Sequence, residues 1–136
     1  MTLEFFIDGK IPAGTHQMKK VTVAGGKPRF YEPANLKAAR EYYMARLKKY
    51  APKEPLDGAI ALTTRWYYKP PKAHKNEIYK TTAPDTDNLV KLLKDCMTAC
   101  GFWTDDAKVA LECIIKQYSE VEGVHIRMAK LKNNRV

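Results

Sequence analysis

Cysteine is scarce in this sequence, acidic residues are outnumbered, and long apolar runs are missing. The three cysteines, Cys96, Cys100 and Cys113, are odd in number, which argues against a disulfide framework. Zinc would want a fourth ligand at recognisable spacing, and none is offered, so all three are expected in the core. No apolar run approaches the roughly 18 residues of a spanning helix. The opening segment MTLEFFIDGKIPAG has neither a basic start nor a long apolar stretch, so it does not read as a secretory signal. A cytoplasmic protein is the expectation. Internal repeats and low-complexity segments are also absent. With 45% apolar and 29% charged residues, wholesale disorder is excluded. A chain of 136 residues can bury one core but is short for two domains and a long linker, so a single domain over residues 1–136 is expected.

What is present in excess is positive charge. Lys and Arg number 24 against 15 Asp and Glu, a net charge of +9, which points to a polyanion and most often to nucleic acid. The distribution is more informative than the sum. Residues 65–80 carry five Lys or Arg and one Glu, a local +4, whereas residues 81–106 carry two Lys and five Asp, a local −3. A protein that only coats phosphate has no reason to gather carboxylates beside its most basic stretch.

Hydrophobic periodicity places the elements. LEFFIDG reads as a first strand with Leu3, Phe5 and Ile7 on one face and a turn at Asp8-Gly9. Residues 12–30, punctuated by Pro12, Gly14 and Gly25-Gly26, read as a short hairpin or an ordered loop. Leu36, Ala39, Tyr43, Leu47 and Tyr50 recur at helical spacing, giving a helix over 34–50 whose Lys37, Arg40, Arg46, Lys48 and Lys49 form a solvated face. AIALTTRWYYK reads as a strand over 58–68 ended by Pro70-Pro71, and at least one of Trp66, Tyr67 and Tyr68 belongs to the core. A long polar loop follows. The next helix carries Leu89, Leu92, Leu93, Cys96, Met97 and Cys100 on one arc, with Asp85 as N-cap and Gly101 as its stop. VALECIIKQY and GVHIRMAKL read as strands paired antiparallel. The expected fold is α+β, a mixed sheet with two main helices packed on it.

The chemistry is concentrated in Pro84-Asp85-Thr86-Asp87-Asn88, Lys91 and Trp103-Thr104-Asp105-Asp106. Asp85 and Asp87 stand at a helix entrance, and Lys91 lies one turn beyond Asp87 on the same face. Each feature has a plain structural explanation: capping for the first two, an i,i+4 pair for Asp87 and Lys91, a turn for Asp105-Asp106. The combination is harder to dismiss. A helix of 14 residues is about 21 Å long, so the chain must double back if the acidic pairs are to meet. Converging carboxylates repel one another unless a cation lies between them, and oxygen-only ligands select Mg²⁺ or Mn²⁺ rather than zinc. In a basic protein such a centre suits phosphodiester hydrolysis, with lysine facing the negative charge that develops on phosphorus.

These residues closely resemble the RusA family of small Holliday-junction endonucleases of bacteria and their phages. The family pattern is Pro-Asp-x-Asp-Asn, a helical Lys, then about twenty residues later an aromatic and an Asp-Asp pair. The resemblance implies a RusA-like fold and a crossover junction endodeoxyribonuclease that acts on four-way DNA as a Mg²⁺-dependent homodimer, Mn²⁺ being a possible substitute, in recombination and repair. By the same resemblance Asp85, Asp87 and Asp106 are essential metal-binding carboxylates, Asp105 a supporting one, Lys91 the catalytic lysine and Asn88 a structural position behind the ligands. Many members have a Lys directly before Pro-Asp, whereas this chain has Ala83, with Lys80 as its nearest substitute.

Lys69, Lys72, Lys75 and Lys80, with Lys19, Lys20 and Arg29 from the earlier basic stretch, are the candidate phosphate contacts. Trp103 is expected to pack and steady the Asp-Asp turn, and His16, His74 and His125 are scattered. Two other readings fit parts of the pattern: a non-catalytic basic DNA-binding module, and a metal-dependent enzyme for small phosphate substrates, to which a net charge of +9 is poorly suited.

Overall fold

A strand that alternates without interruption between buried and half-buried residues takes the middle of a sheet, and here that strand is β4, Ile60–Tyr68. In this computed structural model the backbone is described for residues 2–13, 20–24, 27–31 and 33–132, and side chains for 2–13 and 33–132. Ile60, Leu62, Thr64 and Trp66 of β4 are fully buried on one face, and the Trp66 indole donates to the Thr64 hydroxyl at 2.9 Å, so the one buried polar side chain of that face is satisfied.

The remaining strands are β1 (Thr2–Asp8), β2 (Lys20–Ala24), β3 (Lys27–Tyr31), β5 (Val109–Tyr118) and β6 (Gly123–Lys130). The main sheet has the order β1-β6-β4-β5, with β5 parallel to β4 and both other pairings antiparallel. The expected hairpin of the last two strands is therefore corrected: β5 and β6 lie on opposite sides of β4. The connection between them passes over the end of β4, where Ser119 N–H donates to the Tyr68 carbonyl at 2.8 Å and Gly9 N–H donates to the Glu122 carbonyl at 3.0 Å. A four-residue link suggests a hairpin, but the most apolar strand gains most by occupying the centre, and it takes a partner on each edge. Residues 12–30 resolve toward the hairpin reading, since β2 and β3 pair antiparallel in a small sheet of their own.

Two helices, α1 (Ala34–Leu47) and α2 (Thr86–Ala99), supply the apolar layer. Leu36, Ala39, Tyr43 and Leu47 of α1 and Leu89, Val90, Leu92, Leu93, Cys96 and Met97 of α2 are buried with the apolar face of the sheet in one core cluster. Residues 48–50 continue α1 as a turn of 3₁₀ helix, close to the expected boundary. The fold is thus the α+β arrangement expected, a mixed sheet with two helices. Trp66 and Trp103 are core residues, as are Cys96 and, in part, Cys100; Cys113 is exposed, because it alternates with Glu112 and Ile114 onto the other side of β5.

Gly123 pairs with Asp8 on β1 and with Tyr67 on β4. A methyl group at that position would overlap the Phe6 ring and the Ile7 carbonyl oxygen, and the latter, a main-chain atom of the paired strand, can move only with its strand. Gly123→Ala is expected to cost about 1–3 kcal/mol of stability, read as an earlier urea midpoint; an unchanged midpoint would mean that β1 and β6 separate freely there.

Candidate active site

The stretch between β4 and α2 is ordered by its own contacts. His74 pairs with Glu77 and stacks its ring on Tyr118 at 6.2 Å. Residues 78–80 then lie antiparallel against the end of β5: Tyr118 N–H donates to the Ile78 carbonyl at 2.9 Å and Lys80 N–H to the Lys116 carbonyl at 3.0 Å. The Lys80 ammonium donates to the Thr82 hydroxyl at 2.7 Å and lies 5.0 Å from the Tyr68 ring centre.

Lys116, which sequence reasoning did not single out, holds the next segment. Its ammonium donates to the carbonyls of Thr82 and Pro84, each at 2.8 Å, on either side of a cis Ala83-Pro84 peptide. Burial, and then the neighbouring Lys80 charge, push its pKa below the ordinary lysine value, and the Asp85 carboxylate partly offsets both. Lys116 thus fastens the main chain directly before Asp85. Asp85 is the N-cap of α2; its carbonyl accepts from Leu89 N–H at 3.0 Å, but its carboxylate makes no capping bond. The positive end of the helix favours both Asp85 and Asp87.

At its other end α2 is closed by Phe102 N–H to the Met97 carbonyl at 3.0 Å, with Gly101 at a φ of 85°. Trp103 is buried, as expected, and donates from its indole N–H to the Thr98 hydroxyl at 2.7 Å, directly before the acidic pair in the chain. Asp105 uses one carboxylate oxygen to accept from Ala107 N–H at 2.9 Å, capping a short 3₁₀ turn over Asp106–Lys108. Asp106, the first residue of that turn, is thereby delivered back to α2.

The chain does double back. Asp87, Val90, Lys91 and Lys94 of α2, Asp106, and Glu112 and Ile114 of β5 line one cleft of about 200 Å³. Asp87, Lys91 and Asp106 are thus brought together, with Lys91 and Asp87 exposed. Asp85 and Asp105 flank this cleft in the chain without lining it, and half-buried Asn88 follows Asp87 on the first turn of α2. Lys94 and Glu112, also missed from the sequence, form an ion pair at 3.2 Å within it. Their signal was the alternation of Glu112, Ile114 and Lys116 on β5, which becomes legible once the face of β5 that meets α2 is known.

The groups of this cleft that can ligate a metal, Asp87, Asp106 and Glu112, all offer carboxylate oxygen, the donor chemistry of a hard divalent ion. Among the described residues no three carboxylate, imidazole or thiol groups stand close enough to share an ion. The Glu112 carboxylate is paired with Lys94 of α2. Of the candidate phosphate contacts, Lys69, Lys72 and Lys75 are exposed and Lys80 is half-buried over Tyr68. Lys20 and Arg29 lie on β2 and β3, and Lys19 lies outside the described residues. None of the described helices is long and apolar enough to cross a membrane.

Comparison with known proteins gives the family. Residues 10–129 match the family described as "Endodeoxyribonuclease RusA". The chain is 32% identical over 109 residues to the "Crossover junction endodeoxyribonuclease rusA" of Lactococcus phage r1t, covering 78% of this chain and 79% of that one. It is 26% identical over 121 residues to "Uncharacterized protein YqaN" of Bacillus subtilis (strain 168), covering 81% of this chain and 84% of the relative. The chain belongs to the RusA endodeoxyribonuclease family.

Because Lys116 positions the segment leading into Asp85, Lys116→Met is expected to speed amide exchange over residues 82–86 while α2 keeps its protection. DNA cutting should fall about tenfold to a hundredfold, the scale on which small misplacements act. Unchanged exchange together with unchanged cutting would remove Lys116 from the site.

Proposed function

We propose that this member of the RusA family resolves four-way DNA junctions by paired, symmetric phosphodiester hydrolysis, using Mg²⁺ held by Asp87, Asp106 and Asp85 with Asp105 in support. The observation that carries the reading is the meeting of Asp87, Lys91 and Asp106 in one cleft of about 200 Å³, although Asp106 lies beyond the far end of the 14-residue helix that Asp87 opens. Lys69, Lys72 and Lys75, in the stretch that leads toward α2, are exposed.

When bound, the divalent ion would supply a nucleophilic water near neutral pH and positive charge against the scissile phosphate. The protein's own groups do the rest. Lys91, exposed on the cleft wall one turn past Asp87, donates to the phosphoryl oxygens as charge develops on them. Lys69, Lys72, Lys75 and Lys80 hold the backbone, with Lys80 standing in for the lysine that Ala83 lacks. Two copies related by a two-fold axis match the approximate two-fold symmetry of a junction, so the acting species is a homodimer. Recombination and repair in the cytoplasm, in a bacterial host or its phage, are the setting this reading implies.

The test is purified protein on a synthetic four-way junction with Mg²⁺. Cutting should appear with Mg²⁺ or Mn²⁺ and vanish with EDTA. Asp87→Asn should abolish it, by about a thousandfold or more, while junction binding is kept or strengthened because repulsion toward phosphate falls. Lys91→Ala should cut at least about a hundredfold more slowly with binding nearly unchanged. A junction that is bound well and never cut would make the chain a binding module instead.

A further inference from the structure

Glu112 is the only charged residue among positions 109–115, where β5 reads VALECII, so it belongs to no solvated charged face. It lies in register with Leu62 of the buried face of β4 and lines the cleft beside Ile114, which packs against the core. Its side chain keeps 24% of its surface exposed, that of Lys94 keeps 20%, and the Lys94 ammonium donates to the Glu112 carboxylate at 3.2 Å. A carboxylate drawn this far from water needs a partner, and Lys94 supplies it.

The pairing matters because of where Lys94 stands. Asp87, Lys91 and Lys94 follow one another at i, i+4 and i+7 on one face of α2, and all three line the cleft together with Asp106 and Glu112. Three carboxylates thus face two ammonium groups, a balance of one negative charge. Without Glu112, two aspartates would face two lysines. The charges would then cancel within the protein, and Asp87 and Asp106 would have the protein's own cations in place of an ion. With Glu112 present, Lys94 is taken up at the β5 wall, and of the two lysines only Lys91 is left without an ion-pair partner among the described residues. Glu112 is not placed as a ligand itself. Lys94 holds its carboxylate, and among the described residues no three metal-binding groups stand close enough to share an ion.

We infer that Glu112 is a positioning residue of the metal centre: by neutralising Lys94 it keeps Asp87 and Asp106 open to a divalent cation. The inference rests on the metal-dependent reading above and deepens it.

The experiment titrates Mn²⁺ into the whole protein without DNA, read by electron paramagnetic resonance. It compares wild type, Glu112→Gln, Lys94→Met and the double variant, with Asp87→Asn to mark binding at the cleft. Glu112→Gln should weaken Mn²⁺ binding about tenfold or more, the scale on which groups behind the ligands act. Lys94→Met should bind as tightly as wild type or more tightly, and adding it to Glu112→Gln should restore the affinity to near wild type. Both single variants lose the same ion pair, so their urea midpoints should fall alike while their Mn²⁺ affinities part. A double variant as weak as Glu112→Gln would overturn the inference, since Glu112 would then be a ligand. Equal weakening by the two single variants would overturn it as well, because the pair would only tie α2 to β5. Wild-type uptake of Mn²⁺ that survives Asp87→Asn, or no uptake at all, would remove the ion from this cleft and the inference with it. If the variants behave as expected and a four-way junction is still not cut, the inference stands and the endonuclease reading fails. If the junction is cut with Mg²⁺ while Glu112→Gln leaves Mn²⁺ affinity unchanged, the reverse holds.

Discussion

Parallel pairing of β4 with β5 is the constraint on which the site depends. Neighbouring parallel strands cannot be joined by a tight turn; the chain must leave one end of the first strand and return to the opposite end of the second, over a dozen residues or more. Here that crossover is α2 with its flanks, and all four site aspartates lie on it, Asp85 and Asp87 at its entrance, Asp105 and Asp106 at its exit. The same pairing turns Glu112, Ile114 and Lys116 toward the helix, in register with Leu62, Thr64 and Trp66 of the buried face. Sheet topology, rather than any local motif, thus decides which charges meet.

Within that frame the lysines have different tasks. Lys116 is consumed by the main chain, its two carbonyl bonds at 2.8 Å replacing the water that an isolated ammonium would need. Lys94 is consumed by Glu112. Lys91 has no ion-pair partner among the described residues and is left to face whatever enters the cleft. An excess of positive charge is therefore a poor guide to DNA contact in this chain, since part of it braces the site from inside.

Much of this was legible in the sequence. The β-branched and aromatic richness of AIALTTRWYYK and the helical spacing of Leu89, Leu93 and Met97 are imprints of burial, so β4 and α2 could be read with boundaries within two residues. The acidic pairs were legible because their clustering in a basic chain has no cheap structural explanation. Strand order was not legible, because pairing is settled by competition for the most apolar neighbour and not by the length of a connection; β5 and β6 were misread for that reason. The fate of Cys113 was hidden by the same limit, since which face of β5 turns toward the helices is set by its pairing with β4. Lys94, Glu112 and Lys116 look like ordinary surface charges until the partner across the cleft is known.

Clamping at both ends gives α2 the character of a ruler. Lys116 holds the chain at its entrance and the Trp103–Thr98 bond holds it at its exit. A helix turns about 100° per residue, so one inserted or deleted residue between these clamps would swing either Lys91 and Asp87 or the apolar arc of Leu92, Leu93 and Met97 away from its place. Change in this part of the molecule is confined to substitution at constant length.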